Sequence, residues 1–152
     1  MTFQNTEKLF TLAIAREIEA NDFYDKAAKT SANASVRAIF AELAGDELSH
    51  MELLERLRAD PTLPMKMHKP AVDYKVAEEV ELPALSIDMK PADAVALAMK
   101  TEQRAMAFYT DMAAQCADAE LKRIFLNLAD MEAGHKCRLE AVFVDIGFPE
   151  TF

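Results

Sequence analysis

Shifted by 85 positions, the sequence overlays on itself without a gap. Glu17 falls on Glu102, Phe23 and Tyr24 on Phe108 and Tyr109, and Ile39 and Phe40 on Ile124 and Phe125. Leu43 meets Leu128, Glu47 meets Glu132, His50 meets His135, and Leu54 and Glu55 meet Leu139 and Glu140. An ungapped self-match of this length means that one supersecondary unit is used twice, so the fold must place two equivalent copies against each other.

Each copy reads as two helices. In the first, Phe10, Ile14, Tyr24 and Ala28 are spaced by threes and fours, and in the second so are Val36, Phe40, Leu43, Leu54 and Leu57. The third gives Val95, Met99, Met106, Tyr109 and Ala113, the fourth Leu121, Phe125, Leu128, Leu139 and Val142. This alternation is the seam of helices packed at shallow angles. Asn33 and Asp118, equivalent in the repeat, stand as N-caps before the second and fourth helices. The loops near Thr30–Asn33 and Gln115–Asp118 are short, which forces antiparallel neighbours. The expected fold is all-α: an antiparallel four-helix bundle in one domain over residues 1–152, with hairpins at about 5–59 and 91–146.

The stretch between the hairpins, about 60–90, is different in kind. Pro61, Pro64, Pro70 and Pro83 lie within it, and Pro91 with Asp93 just after it makes a good helix start. It is long enough to cross the length of the bundle, and Val72 to Glu81 is expected to form a short helix of its own. The scarcity of glycine, 3 in the chain, suits the helical reading.

The breaks in the apolar seams carry the chemistry. Glu17 continues the first series, Glu47 and His50 the second, Glu102 the third, and Glu132 and His135 the fourth. All six are therefore expected to point inward near mid-helix, and no lysine or arginine stands at a seam position to pair with them. A single Glu-x-x-His on a helix usually marks a solvated face. Two of them, in register with two lone glutamates across four seams, do not fit that explanation. Four converging carboxylates, ionised and unpaired, would strongly destabilise a core. Without metal, burial and like charge are expected to raise all four pKa values. Two divalent cations match the charge, and carboxylate oxygen with imidazole nitrogen suits iron or manganese, with zinc accommodated. The Glu-x-x-His spacing stacks both side chains on one face, one turn apart.

Among the neighbours, Tyr24 and Tyr109 lie two turns from Glu17 and Glu102 on the same faces. Their hydroxyls either reach the ligand carboxylates or belong to the plain core. Asp46 either orients His135 through its second ring nitrogen or is exposed, and its repeat partner is Met131, which cannot do the same.

At these residues the chain resembles the ferritin-like di-iron carboxylate superfamily, most closely its rubrerythrin-like members, over nearly everything outside the crossover. In that superfamily one Glu from each of two helices and a Glu-x-x-His from each of the other two converge inside the bundle. The resemblance implies two iron ions, with Glu17 and His50 terminal on one, Glu102 and His135 terminal on the other, and Glu47 and Glu132 bridging. Two features depart from rubrerythrins. They usually carry a further glutamate one turn after the third-helix ligand, where this chain has Ala105, and they usually have a rubredoxin domain with two CxxC pairs, a spacing absent here. The six-ligand set is closer to that of bacterioferritin, whose haem methionine follows the first bridging glutamate; this chain has Leu48 there.

The net charge of -9 opposes nucleic acid and anionic membrane surfaces as partners. No apolar run approaches the ~20 residues that span a bilayer, and no signal peptide is visible, so a soluble, cytoplasmic protein is expected. Cys116 and Cys137, without CxxC spacing, read as reduced thiols. The nine methionines read as gap-filling core and interface residues rather than ligands, and His68 belongs to no pattern. The tail from Val142 to Phe152 leaves Phe143, Phe148 and Phe152 without an evident place in the core, which points to a homodimer or else to a tail folded back over one end of its own bundle. Three functions are open. The first is reduction of hydrogen peroxide or dioxygen with electrons from an external donor protein. The second is iron binding with ferrous oxidation for storage or detoxification, and the third is a structural bundle stapled by metal.

Overall fold

The computed structural model describes residues 3–63, 75, 77–79 and 90–147. Among the described residues there are four long helices: α1 (Phe3–Thr30), α2 (Ala34–Ala59), α3 (Pro91–Ala114) and α4 (Ala119–Gly147). α1 packs on α2 and α3 on α4, α2 touches α4 across the bundle, and α1 and α3 make little contact with each other.

The helix starts are those the sequence marks. Asn33 Oδ1 accepts the Val36 N–H at 3.0 Å. Asp118 Oδ1 does the same for the N–H groups of Glu120 and Leu121 at 2.8 and 3.1 Å. Each side chain thereby satisfies donors that a helix N-terminus leaves open. α3 begins at Pro91, whose missing N–H costs nothing in a first turn, with Asp93 beside the positive end of the helix.

The core has two ends. Leu9, Phe10, Leu54, Leu57, Leu121 and Phe125 belong to one apolar cluster. Val36, Phe40, Leu43, Val95, Met99 and Leu139 belong to the other. The repeat carries one cluster onto the other: Phe40 onto Phe125, Leu54 onto Leu139. Completely burying such side chains contributes about 1.5–3 kcal/mol each, and it is these two clusters that let the middle of the bundle hold charge.

Of the span Val72 to Glu81, expected to form a short helix, Lys75 and the 3-10 turn Ala77–Glu79 are described; the rest of that span, and His68, lie outside the described residues. The turn is pinned to α4. Ala77 N–H donates to Glu140 Oε2 at 3.0 Å, and Lys136 Nζ sits 3.0 Å from Glu78 Oε1 and 3.5 Å from Glu140 Oε2. Lys136 and Glu140 are buried, whereas their repeat equivalents are the half-buried Met51 and the exposed Glu55. The Ala77–Glu79 turn therefore covers α4 at Lys136 and Glu140.

Phe143, expected to be left over, packs with Val142 and Ile146 against the second apolar cluster, because α4 runs on to Gly147 and keeps that turn beside α2 and α3. Phe148 and Phe152 lie outside the described residues. Cys116 is buried, Cys137 half-buried, and both are free thiols. Among the described residues no helix is long and apolar enough to cross a membrane.

Candidate metal centre

Between the two apolar clusters the seams bring all six marked residues together. Glu17, Glu47, Glu102 and Glu132 are fully buried, and His50 and His135 nearly so. They form two overlapping sets. One donor atom from each of Glu17, Glu47, His50 and Glu132 lies within 4.8 Å of the others, and the same holds for Glu47, Glu102, Glu132 and His135. The carboxylates common to both sets are those of the two Glu-x-x-His pairs.

The imidazoles present matching atoms. His50 Nδ1 is 3.1 Å from Glu132 Oε1 and 3.7 Å from both Glu17 Oε2 and Glu47 Oε1. His135 Nδ1 is 2.8 Å from Glu47 Oε1, 3.6 Å from Glu102 Oε1 and 3.7 Å from Glu132 Oε2. The two rings lie nearly parallel, 6° apart, with centroids separated by 5.4 Å. Behind His135 the symmetry ends: its Nε2 is 3.3 Å from Asp46 Oδ2, which also accepts a 2.8 Å hydrogen bond from Arg138. Both readings of Asp46 thus hold at once, since its side chain is 42% exposed yet reaches the ring.

The tyrosines reach the carboxylates, each across the bundle. Tyr24 donates to Glu102 Oε1 at 2.5 Å and Tyr109 to Glu17 Oε1 at 2.5 Å. Their rings are set by aromatic neighbours, Tyr24 beside Phe40 at 5.7 Å and Tyr109 stacked on Phe125 at 6.4 Å between centroids. Burial, then the nearby glutamate charge, holds both hydroxyls well above the ordinary tyrosine value, so both stay donors at neutral pH.

One cation enters the cluster that the seam pattern excluded. Arg16 Nη1 donates to Glu17 Oε1 at 3.0 Å and to Glu47 Oε2 at 3.1 Å, and Nη2 donates to Glu132 Oε2 at 3.3 Å. Its guanidinium lies 5.6 Å from the centre of the Tyr109 ring. Arg16 is off the Glu17 seam, but Leu9, Ala13 and Ala20 are all buried, so position 16 falls on a second inward stripe of α1. That stripe is the signal that finds it, together with a side chain long enough to turn back onto the first.

Without metal the cluster holds protons unevenly. Burial and the charge on Glu132 push Glu47 up to about 11, and burial with the same neighbour pushes Glu102 up to about 8. Glu132 runs the other way, contrary to the uniform rise expected. Burial opposes its charge, but hydrogen bonding with Glu102, the Arg16 charge and both histidines hold it well below the ordinary range. For His50 burial favours the neutral ring, yet Glu132 and Glu17 raise it to about 9. His135 is likewise raised against its burial, by Asp46 first and then by Glu102. In return, hydrogen bonding to His135 is the main cause that takes Asp46 down to about 2.

Even so, Glu17 Oε2 and Glu102 Oε2 are buried without a hydrogen-bond partner among the described residues, and Glu47 Oε1 and His135 Nδ1, 2.8 Å apart, lack hydrogen-bond geometry toward each other. Buried polar atoms are nearly always paired, and these four all belong to the two overlapping sets. Their oxygen and nitrogen chemistry fits iron or manganese, and a pair of divalent ions would satisfy all four at once. The residues present therefore suit a two-metal group.

The family model for rubrerythrin matches residues 8–143. The chain belongs to the rubrerythrin family. Among solved structures, this rubrerythrin-family chain is similar to a hypothetical protein from Pyrococcus furiosus, with 25% identity and a TM-score of 0.68 over 97% of this chain and 93% of that one. It is also similar to an uncharacterized conserved protein from Magnetospirillum magnetotacticum MS-1, with 26% identity and a TM-score of 0.66 over 89% and 91% of the two chains. No curated protein matches it. Family and fold agree on a ferritin-like bundle, and the family suggests metal, iron above all, at the carboxylate and histidine cluster of this rubrerythrin-family chain.

Proposed function

We propose that this chain is a non-haem di-iron oxidoreductase that reduces hydrogen peroxide or dioxygen to water with electrons from an external donor protein. The observation that carries the reading is the pair of overlapping four-residue sets with four orphaned donor atoms among them. Glu17 and His50 would hold one ion and Glu102 and His135 the other, with Glu47 and Glu132, common to both sets, available to both.

Iron bound there supplies the electrons and the Lewis acidity for cleaving an oxygen–oxygen bond. The chain does the rest. Tyr24 and Tyr109 fix one oxygen each of Glu102 and Glu17 and leave the other oxygen of each for metal. Asp46 holds the His135 ring so that Nδ1 faces the carboxylates. Reduction of a peroxide to two waters takes up two electrons and two protons, and the two tyrosine hydroxyls are O–H groups already in contact with the cluster. Arg16 adds a fixed positive charge beside Glu17, Glu47 and Glu132, favouring negative charge as it develops there.

The test is consumption of hydrogen peroxide by iron-loaded protein with a reductant such as reduced rubredoxin or a chemical donor. Catalytic turnover beyond one peroxide per pair of irons is the expected result. A single stoichiometric oxidation followed by mineral accumulation would overturn the reading.

A further inference from the structure

α1 and α3 stand apart over the metal centre, and the space between them is a groove of about 450 Å³. That is the size of a pocket for a small organic molecule and far more than the ~30 Å³ that a water occupies. Its lining follows the internal repeat. Ala20 and Ala105, and Phe23 and Phe108, are repeat equivalents that both line it, so small side chains and aromatic rings come in equivalent pairs. The symmetry breaks at the polar positions, where the repeat equivalent of Arg16 is Thr101 and that of Glu19 is Arg104. Glu19 and Arg104 are both exposed and offset each other in charge, which leaves Arg16, paired behind the groove with the metal-centre carboxylates, as the remaining charged group of the lining.

Arg16 is also the one lining residue that reaches the metal-centre carboxylates. A guanidinium has five N–H donors. Both on Nη1 and one on Nη2 are taken by Glu17, Glu47 and Glu132. The Nε–H and the second Nη2–H engage no acceptor among the described residues, and they form the side-on edge that matches a carboxylate with two parallel hydrogen bonds.

We propose that this groove binds a small organic monocarboxylate, its acid group on the free edge of Arg16 and its apolar body between Phe23 and Phe108. One negative charge fits and more would not, because a single guanidinium edge faces the groove and four glutamates lie behind it. The proposal rests on the two-metal reading in one respect. Two divalent ions cancel the charge of those glutamates, so the anion binds the metal-loaded protein more tightly than the metal-free one, and by reciprocity tightens metal.

The experiment is calorimetric titration of benzoate into zinc-loaded, redox-silent protein whose metal content has been measured. One benzoate per chain is expected, weaker by tenfold or more in metal-free protein and in Arg16→Gln, in line with loss of a charge-assisted pair. Benzamide, the neutral analogue, should not compete, and Ala20→Leu should abolish binding by filling the floor. Two zinc ions with no benzoate uptake, equal binding of benzamide, or undiminished binding by a two-zinc Arg16→Gln protein each overturn the groove proposal while leaving the metal centre intact. Failure of the wild-type chain to take up zinc overturns both.

Discussion

The hydroxyl of Tyr24, on the first hairpin, is 2.5 Å from a carboxylate oxygen of Glu102 on the second. The same bond recurs in the opposite sense between Tyr109 and Glu17, also at 2.5 Å. Each hairpin therefore holds the other's lone glutamate, and the two halves of the repeat are joined at the point where four buried carboxylates would otherwise push them apart.

Removing one of these hydroxyls should loosen the glutamate it holds. Tyr24→Phe and Tyr109→Phe are each expected to weaken metal binding about 10–100-fold, the usual cost of losing a partner that orients a ligand. Because the arrangement repeats, the two losses should be similar in size. Competition titration against a chelator measures both, and metal affinity unchanged in either variant would show that these tyrosines are only core.

The histidines should respond unequally to their surroundings. Asp46 backs His135 at 3.3 Å, while the position equivalent to Asp46 behind His50 is Met131. Asp46→Ala is expected to weaken one of two metal equivalents about tenfold or more and to leave the other near its original affinity. A titration with resolved steps checks this; equal weakening of both equivalents would contradict it.

The metal-free protein should be most stable in mild acid. Glu47 at about 11, Glu102 at about 8 and His50 at about 9 all lie above their ordinary values of 4.5, 4.5 and 6.5. Groups with raised folded pKa contribute stability that is complete below the unfolded value and lost as pH rises through the folded one. Glu132, held low, has the opposite sign, and its contribution is lost only as pH falls below its ordinary 4.5. The melting temperature without metal should therefore fall from about pH 5 up to about pH 11, and metal, which needs ionised carboxylates and neutral rings, should remove the fall. Melting curves that run parallel with and without metal would count against a buried proton-holding cluster.

The shared carboxylates should matter more than the lone ones. Glu47→Ala or Glu132→Ala removes a donor common to both sets and should abolish both metal equivalents, whereas Glu17→Ala or Glu102→Ala should keep about one. Metal analysis of the four purified variants measures it, and equal retention at all four positions would contradict the bridging roles.

Much of this was readable from spacing, because a long helix turns residue number into direction. Glu17, Glu47, His50, Glu102, Glu132 and His135 sit on 3-4 seams, and a seam residue of a bundle has nowhere to point but inward. The caps at Asn33 and Asp118 were legible for a similar reason, since the chemistry of a helix start is local. Arg16 was not, because a long side chain can leave the stripe it grows from. Lys136 and Glu140 were hidden differently: they are buried by the Ala77–Glu79 turn, a contact across some 60 residues that no helical period encodes. Phe143 looked surplus in the sequence because a seam pattern does not say how far past its last ligand a helix keeps its neighbours.

Metal stoichiometry tests the central claim most directly. Metal-free protein titrated anaerobically with ferrous iron should take up two equivalents per chain, with the ions about 3.5–4 Å apart by X-ray absorption, the usual spacing of a two-metal site. Uptake of one equivalent, of none, or of two ions without a short metal–metal distance would contradict a shared centre built from these six side chains.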